Sequence, residues 1–255
     1  MTILLNGALG RMGLAVTEAA AQAGHTVIPA DVRFRPGQGA VSVHDCQDPY
    51  DAVIDFSAPA SLNDVLRLAV GKQKPAVLAV TGYSRQDERS IGKASESIAL
   101  FKSANLSLGL NLMLRLAVLA AKILGEGYDP EIVETHHRYK ADAPSGTARM
   151  LYEALSGAYG GSRVMQAGRR GAAVARKDNE IGVHSIRAGS AAGVHEVGFW
   201  GINETLTLTH HAHNRSLFAE GALKAAAFIT AMHTAGKRGL YTMDDLLTDY
   251  TEGRG

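Results

Sequence analysis

The segment Glu134-Thr-His136-His137-Arg138-Tyr-Lys140-Ala-Asp142-Ala-Pro144-Ser145-Gly146-Thr147-Ala148 gathers imidazoles, a mobile ammonium and a helix-start signal in one short stretch. A strand ending near His136 sends the adjacent His136 and His137 to opposite sides. The two rings then suit different roles, a proton donor and a binding residue, better than joint chelation of one metal. Pro144-Ser145-Gly146-Thr147 precedes a helical spacing of Ala148, Leu151 and Leu155. That arrangement leaves free amide N–H groups and the Thr147 hydroxyl at a helix N-terminus, where a carboxylate is well held. Gly146 lacks the side chain that would block the approach, and Lys140 offers charge or a proton. A capped helix with surface histidines would account for any one of these residues; their joint occurrence points to a site.

A second constellation opens the chain. Gly7-Ala8-Leu9-Gly10-Arg11-Met12-Gly13 follows an apolar run and precedes a helical pattern, so bare backbone would let a pyrophosphate approach a helix N-terminus. Its spacing is a variant of the usual dinucleotide fingerprint, and a glycine turn that only packs helix on sheet would look similar. Asp31, at the end of the next strand, stands where an acid accepts hydrogen bonds from the adenosine ribose hydroxyls, which favours NAD over NADP. Arg33 could pair with a 2′-phosphate or simply be solvated. Thr81-Gly82 and Ala104-Asn105-Leu106 lie at carboxyl ends of further strands, where such sheets bind ligands and where ordinary turns also occur.

These residues need elements to position them. Ile3 to Asn6, Val27 to Val32, Ala52 to Phe56, Ala76 to Val80 and Ile98 to Lys102 read as buried parallel strands alternating with helices, one on Ala15 to Ala23 and one from about Ser61 to Val70. The expectation is an α/β fold, a Rossmann-like doubly wound parallel sheet. From Glu131 the strands lengthen: Ile132 to His136, Ile181 to Arg187, Val194 to Trp200 and Glu204 to Thr209. A second α+β domain on a mixed sheet is expected there. Gly157 to Gly171 reads as a long mobile loop. Helices through Leu217 to Ile229 and near Asp244 to Leu247 could return to cover the first sheet. The boundaries drawn are 1–106 plus 215–255 for a dinucleotide-binding domain and 107–214 for a domain of substrate binding and oligomerisation.

Composition narrows the partners. With 46% hydrophobic and 20% charged residues the 255-residue chain can bury a real core without disulfide staples. Twenty-six Lys and Arg against 25 Asp and Glu leave no field to attract nucleic acid or an anionic membrane. The lone Cys46 can form neither an internal disulfide nor a thiolate metal site, which fits a reducing cytoplasm. The start has no basic segment of a signal peptide, and no apolar stretch is expected to reach membrane-spanning length.

The segment from Glu134 to Ala148 resembles the signature of the dihydrodipicolinate reductases. Further matches run through Gly10-Arg-Met-Gly13, Val53-Ile-Asp-Phe-Ser57, Ala104 to Gly109, His184-Ser-Ile-Arg187, Gly193-Val-His-Glu-Val197, Arg215 to Ala222 and Gly239-Leu-Tyr241. The resemblance implies an NADH- or NADPH-dependent enzyme that reduces 4-hydroxy-tetrahydrodipicolinate, a small cyclic dicarboxylate, to tetrahydrodipicolinate on the diaminopimelate route to lysine. It implies a homotetramer whose second-domain sheets pack together. It gives His136 and Lys140 the proton transfer, and His137, Gly146 and Thr147 the substrate carboxylates. The dinucleotide falls to Gly7, Ala8, Leu9, Gly10, Arg11 and Met12, to Asp31, to Ala79, Val80 and Thr81, and to Ser103, Ala104, Asn105 and Leu106. Two departures from the family pattern weigh against NADPH more than NADH: Ala79-Val80-Thr81-Gly82 replaces Gly-Thr-Thr-Gly, and Val32 stands where some relatives carry arginine.

Three other readings compete. An oxidoreductase acting on another small acid is the closest of them, but the Ser145-Gly146-Thr147 carboxylate site beside two histidines argues for a dianion. A nucleotide-sensing regulator would keep the glycine loop without needing the histidine-lysine turn. A metalloenzyme would draw on the abundant histidines, His211 and His213 sharing one strand face beside His210.

Overall fold

Short apolar runs without polar alternation build the first sheet, because helices cover both of its faces. The structure, a computed structural model, describes residues 1–35, 39–40 and 42–253. Strands β1 (Thr2–Asn6), β2 (Thr26–Ala30), β3 (Ala52–Asp55), β4 (Ala76–Leu78), β5 (Ala99–Lys102) and β11 (Gly239–Tyr241) pair in parallel in the order β11-β5-β4-β3-β1-β2. Residues alternate between the two faces. Ile3, Leu5, Ile54, Val77 and Phe101 meet helices α1 (Arg11–Gln22) and α6 (Ser216–Thr234). Leu4, Val53, Leu78 and Leu100 meet α2 (Leu62–Lys72) and α3 (Arg85–Ser95). Phe101 is fully buried; truncating such a side chain to alanine costs about 3–5 kcal/mol. The chain leaves β1 for β2 on one side and returns to β3 on the other, so the strand order reverses at β1. Ligands of open α/β sheets bind at the carboxyl ends beside such a reversal.

The second sheet joins β6 (Asp129–His136), β7 (Val164–Ala167), β8 (Glu180–Arg187), β9 (Gly193–Trp200) and β10 (Thr205–Ala212) in the order β10-β9-β6-β8-β7. β6, β8 and β7 run parallel, while β9 is antiparallel to both β6 and β10, so the sheet is mixed. One face, through Ile132, Val183, Val197 and Phe199, packs on α4 (Leu108–Leu124) and α5 (Gly146–Ala158). The chain divides into a unit of Met1–Leu108 with Arg215–Gly255 and a unit of Gly109–Asn214.

Several expectations need correction. The long loop expected from Gly157 to Gly171 instead contains the end of α5 and the edge strand β7. Four residues with only Met165 turned toward the core give too little alternation to be read. β4 stops at Leu78, and Asp31 follows β2 rather than ending it. Helices α3 and α4 and strand β11 had no reading from the sequence. An apolar stretch of spanning length does exist: Leu108–Gly127, 20 residues of mean hydropathy 1.7. Its Leu110, Met113, Ala117 and Ala121 lie in the core of the second unit.

Candidate functional site

In the first unit the glycine loop closes on itself. Gly7 has φ +81°, and a Cβ there would stand 2.8 Å from the Phe56 carbonyl carbon and oxygen. A Cβ on Gly13 would come within 2.3 Å of the Gly7 oxygen. Only glycine permits this approach. Gly10 caps α1 without a side-chain hydrogen bond, so the first amides of the helix, at Arg11 and Met12, offer an anion cradle.

Asp31 is buried and ties this loop to the strand end. It accepts hydrogen bonds from the Leu9 amide at 2.9 Å, the Arg33 amide at 3.0 Å, and Arg33 Nε and Nη2, each at 2.8 Å. The Arg33 side chain, against the opposing effect of burial, holds the Asp31 carboxyl at about 2. Arg33 is therefore seated on Asp31, with its outer surface exposed. Asn6, Gly7, Gly10, Asp31, Arg33, Phe56 and Ser57 line a cleft of about 470 Å³ at the strand reversal. A second cleft of the same unit, about 260 Å³, brings Met12 and Ala79 together with Ser103, Ala104, Asn105 and Leu106. The last turn is braced: Ser103 Oγ accepts from the Asn105 amide, and the Asn105 side chain accepts from the Ser107 amide. Ala8 and Val80 are buried and Thr81 is exposed; none of the three lines either cleft. A cradle that a Cβ would fill, an ionised acid and two clefts along the strand ends fit a dinucleotide.

In the second unit, pairing register assembles the polar group. Residues 132, 134 and 136 of β6 share a face, so the apolar floor at Ile132 gives way to Glu134 and then His136. Glu134 lies opposite Ser185 on β8 and His195 on β9, and His136 lies opposite Arg187. Glu134 is fully buried. It receives Arg187 Nη1 at 2.8 Å and Nη2 at 2.7 Å, the Ser145 amide at 3.1 Å, and His136 Nδ1 at 2.5 Å. Burial would raise its pKa, but Arg187, Ser185, His136 and the Ser145 amide outweigh it and hold the carboxyl at about 2. An ionised Glu134 only accepts, so His136 Nδ1 carries the proton of that bond.

Ser145 caps α5, its Oγ accepting from the Ala148 amide at 3.1 Å. The Gly146 and Thr147 amides begin the helix, and a Cβ on Gly146 would meet nothing within 4 Å. Space is open above this terminus. Lys140 pairs with Asp142 at 2.9 Å, and that ammonium lowers the pKa of Asp142. His195 is buried, with its ring edge-on to His136 at 5.2 Å and Nε2 3.2 Å from Ser145 Oγ. Burial first, then the nearby His136, pull its pKa down to about 4, so it is neutral near pH 7. A Cβ at Gly193 would stand 3.2 Å from His136 Nε2. His137 lies beyond the end of β6, its Nδ1 buried without a partner.

The sequence reading thus has His136, Gly146 and Thr147 on neighbouring elements, and Lys140 in the connecting turn. Glu134, Arg187 and His195 stand in motifs of the sequence without a role assigned to them, although Glu134 lies two residues from His136 on a strand and therefore on its face. In the first unit Phe56, Arg215 and Phe218 stand in matched motifs without a role assigned to them, and they line the smaller cleft. Arg215 and Phe218 are remote in sequence, so only the return of α6 reveals them. Among the described residues no group of three or more His, Cys, Asp or Glu is arranged to hold a metal ion.

Residues 1–106 match the family model for the dihydrodipicolinate reductase N-terminus, and residues 109–247 the one for the C-terminus. The chain is 40% identical to a 4-hydroxy-tetrahydrodipicolinate reductase of Alkaliphilus oremlandii, covering 97% of this chain and 98% of the relative. It is 39% identical to one of Caldanaerobacter subterraneus, over 96% and 97%. Among solved structures, a dipicolinate-bound dihydrodipicolinate reductase from Paenisporosarcina shares the fold with a TM-score of 0.78 at 20% identity, covering 95% of this chain and 97% of that one. A probable dehydrogenase from Thermotoga maritima follows at 0.59 and 12%, covering 96% and 92%.

Proposed function

The chain belongs to the dihydrodipicolinate reductase family, and from that premise we propose that it reduces 4-hydroxy-tetrahydrodipicolinate to tetrahydrodipicolinate with NADH or NADPH, in the diaminopimelate route to lysine. One observation supports this beyond family membership: buried Glu134 joins the His136 ring to the N-terminus of α5.

The first unit holds the dinucleotide. The amides at Arg11 and Met12 meet the pyrophosphate, Asp31 serves the adenosine ribose, and Ala79 with Ser103 to Leu106 flanks the nicotinamide end. When bound, the reduced nicotinamide supplies the hydride. The second unit holds the substrate. The Gly146 and Thr147 amides and the Thr147 hydroxyl take one carboxylate at the positive end of α5. His137 and Lys140 bind the dianion from the turn. The Lys140–Asp142 pair is partly exposed, and such pairs are worth only about 0–1 kcal/mol, so Lys140 leaves Asp142 for a substrate charge at small cost. Reduction of a conjugated imine leaves electron density on nitrogen, which an acid must neutralise. His136 and Lys140 are the acids at hand.

We extend the proposal to a cytoplasmic homotetramer, for which Ile186 and Trp200, exposed on the sheet face away from α5, supply apolar contact. The deciding experiment follows NADH absorbance with and without enzymatically generated substrate. Oxidation only with substrate is expected; NADH binding without turnover would favour a regulator.

A further inference from the structure

Arg187 belongs to no substrate or cofactor contact proposed above, yet its guanidinium is held by three protein groups. Its guanidinium makes two hydrogen bonds to Glu134 and others to the backbone oxygens of Asp142 and Ile186. It thus fastens the turn that carries Lys140 to the carboxylate that carries His136. We propose that Glu134 and Arg187 are positioning residues for His136: Glu134 keeps one proton on Nδ1 so that Nε2 alone exchanges protons with substrate, and Arg187 shares the Glu134 charge so that the Nε2 proton can leave. This rests on the reading of His136 as the acid.

An imidazole hydrogen-bonded at Nδ1 to an ionised carboxylate has its tautomer fixed. Nε2 is then the only nitrogen that changes state: it gives its proton to the substrate, and the ring is left neutral with Nδ1–H still bonded to Glu134. A carboxylate alone beside the ring would favour the imidazolium and resist that step. Arg187, forked onto both Glu134 oxygens, offsets the attraction. The other charges facing His136 are few. Lys140, paired with Asp142, comes from the turn. His195 from β9 is neutral, with His210 of β10 behind it. Gly193 leaves bare backbone beside Nε2.

The test uses the full chain, with kcat and KM measured against pH for the wild type, Glu134→Gln, Arg187→Met, Arg187→Lys and His136→Ala. It is joined by ¹⁵N NMR of histidine-labelled, ligand-free protein. Glu134→Gln should lower kcat at least ~10-fold with little change in KM. Arg187→Met should move the pH–rate profile toward higher pH, because the unshared Glu134 charge retains the proton, and Arg187→Lys should restore much of the wild-type profile. A merely structural salt bridge would change stability but leave the profile in place. Neutral wild-type His136 should show its proton on Nδ1; a proton on Nε2 overturns the proposal even if a variant fails to fold. Unchanged profiles in folded Glu134→Gln and Arg187→Met, with kcat lost in His136→Ala, overturn it while sparing the assignment of the acid. Normal kcat in His136→Ala removes that assignment itself, and with it the proposal.

Discussion

Glu134 Oε2 stands 2.5 Å from His136 Nδ1, two positions back on the same strand. The spacing alone puts both side chains on one face of β6, and Arg187 at the matching register position of β8 completes the group. One pleated surface therefore carries an imidazole, a carboxylate bonded to it and a countercharge.

The glycine loop gives a steric prediction. At Gly7 φ is +81°, which costs a residue with a side chain on the order of 1–3 kcal/mol in strain, and a methyl group would also meet the backbone of Phe56 at 2.8 Å. Gly7→Ala should weaken NADH binding at least ~10-fold, equivalent to about 1.4 kcal/mol, and lower the melting temperature. Fluorescence titration with NADH checks the first effect. Wild-type affinity in the variant would show that the loop does not meet the pyrophosphate.

Asp31 and Arg33 give a prediction about cofactor choice. Arg33 covers both carboxylate oxygens of Asp31, so a ribose with two free hydroxyls competes with the guanidinium, whereas a 2′-phosphate would be attracted to it and repelled by the acid. Asp31→Ala should weaken NADH more than NADPH, and Arg33→Ala should weaken NADPH more than NADH. Titration of each cofactor against both variants checks this. Equal losses for the two cofactors would remove the pair from the ribose end.

How far the sequence could be read follows from what kind of signal each residue carries. The parallel strands from Ile3 to Lys102 announce themselves because burial on both faces demands unbroken apolar runs. Ser145-Gly146-Thr147 announces a helix start because capping chemistry is local. β7 does not, since an edge strand of four residues with one core contact leaves almost no pattern. Arg187 and His195 stood in motifs without a role, because their partner Glu134 is reached only through strand register, which no local pattern fixes. Arg215 and Phe218 needed the whole path of α6. Strand parity alone puts Glu134 on the face of His136, two residues along β6.

Titration of the same polar group should govern acid stability. Burial lowers the His195 pKa from 6.5 to about 4, so between those values the unfolded chain binds a proton that the native state refuses. Stability is then full above pH 6.5 and falls as pH drops toward 4, by up to ~3 kcal/mol. Glu134, held at about 2 against its ordinary 4.5, adds a second loss in the same direction below pH 4.5. Thermal melts at stepped pH check the sign and the window. His195→Gln should abolish the upper step and keep the lower one; an unchanged upper step would mean that another histidine causes it.

The sharpest prediction separates chemistry from binding inside residues 136–147. If His136 and Lys140 handle the proton and the developing charge, His136→Ala and Lys140→Ala should lower kcat by ~100-fold or more, as expected for loss of a general acid. Thr147→Val differs because it removes one hydrogen bond to a bound carboxylate. It should cost about 1.5–3 kcal/mol and appear mainly as a raised KM. Because Thr147 occupies the first turn of α5 just after the Ser145 cap, valine there leaves the cap and the helix amides in place. NADH affinity should survive all three changes, since the glycine loop, Asp31 and the two clefts all belong to the other unit. Steady-state kinetics with a parallel NADH titration decides the matter. Normal kcat in the His136 and Lys140 variants would leave the segment as a binding turn and send the search for the acid elsewhere.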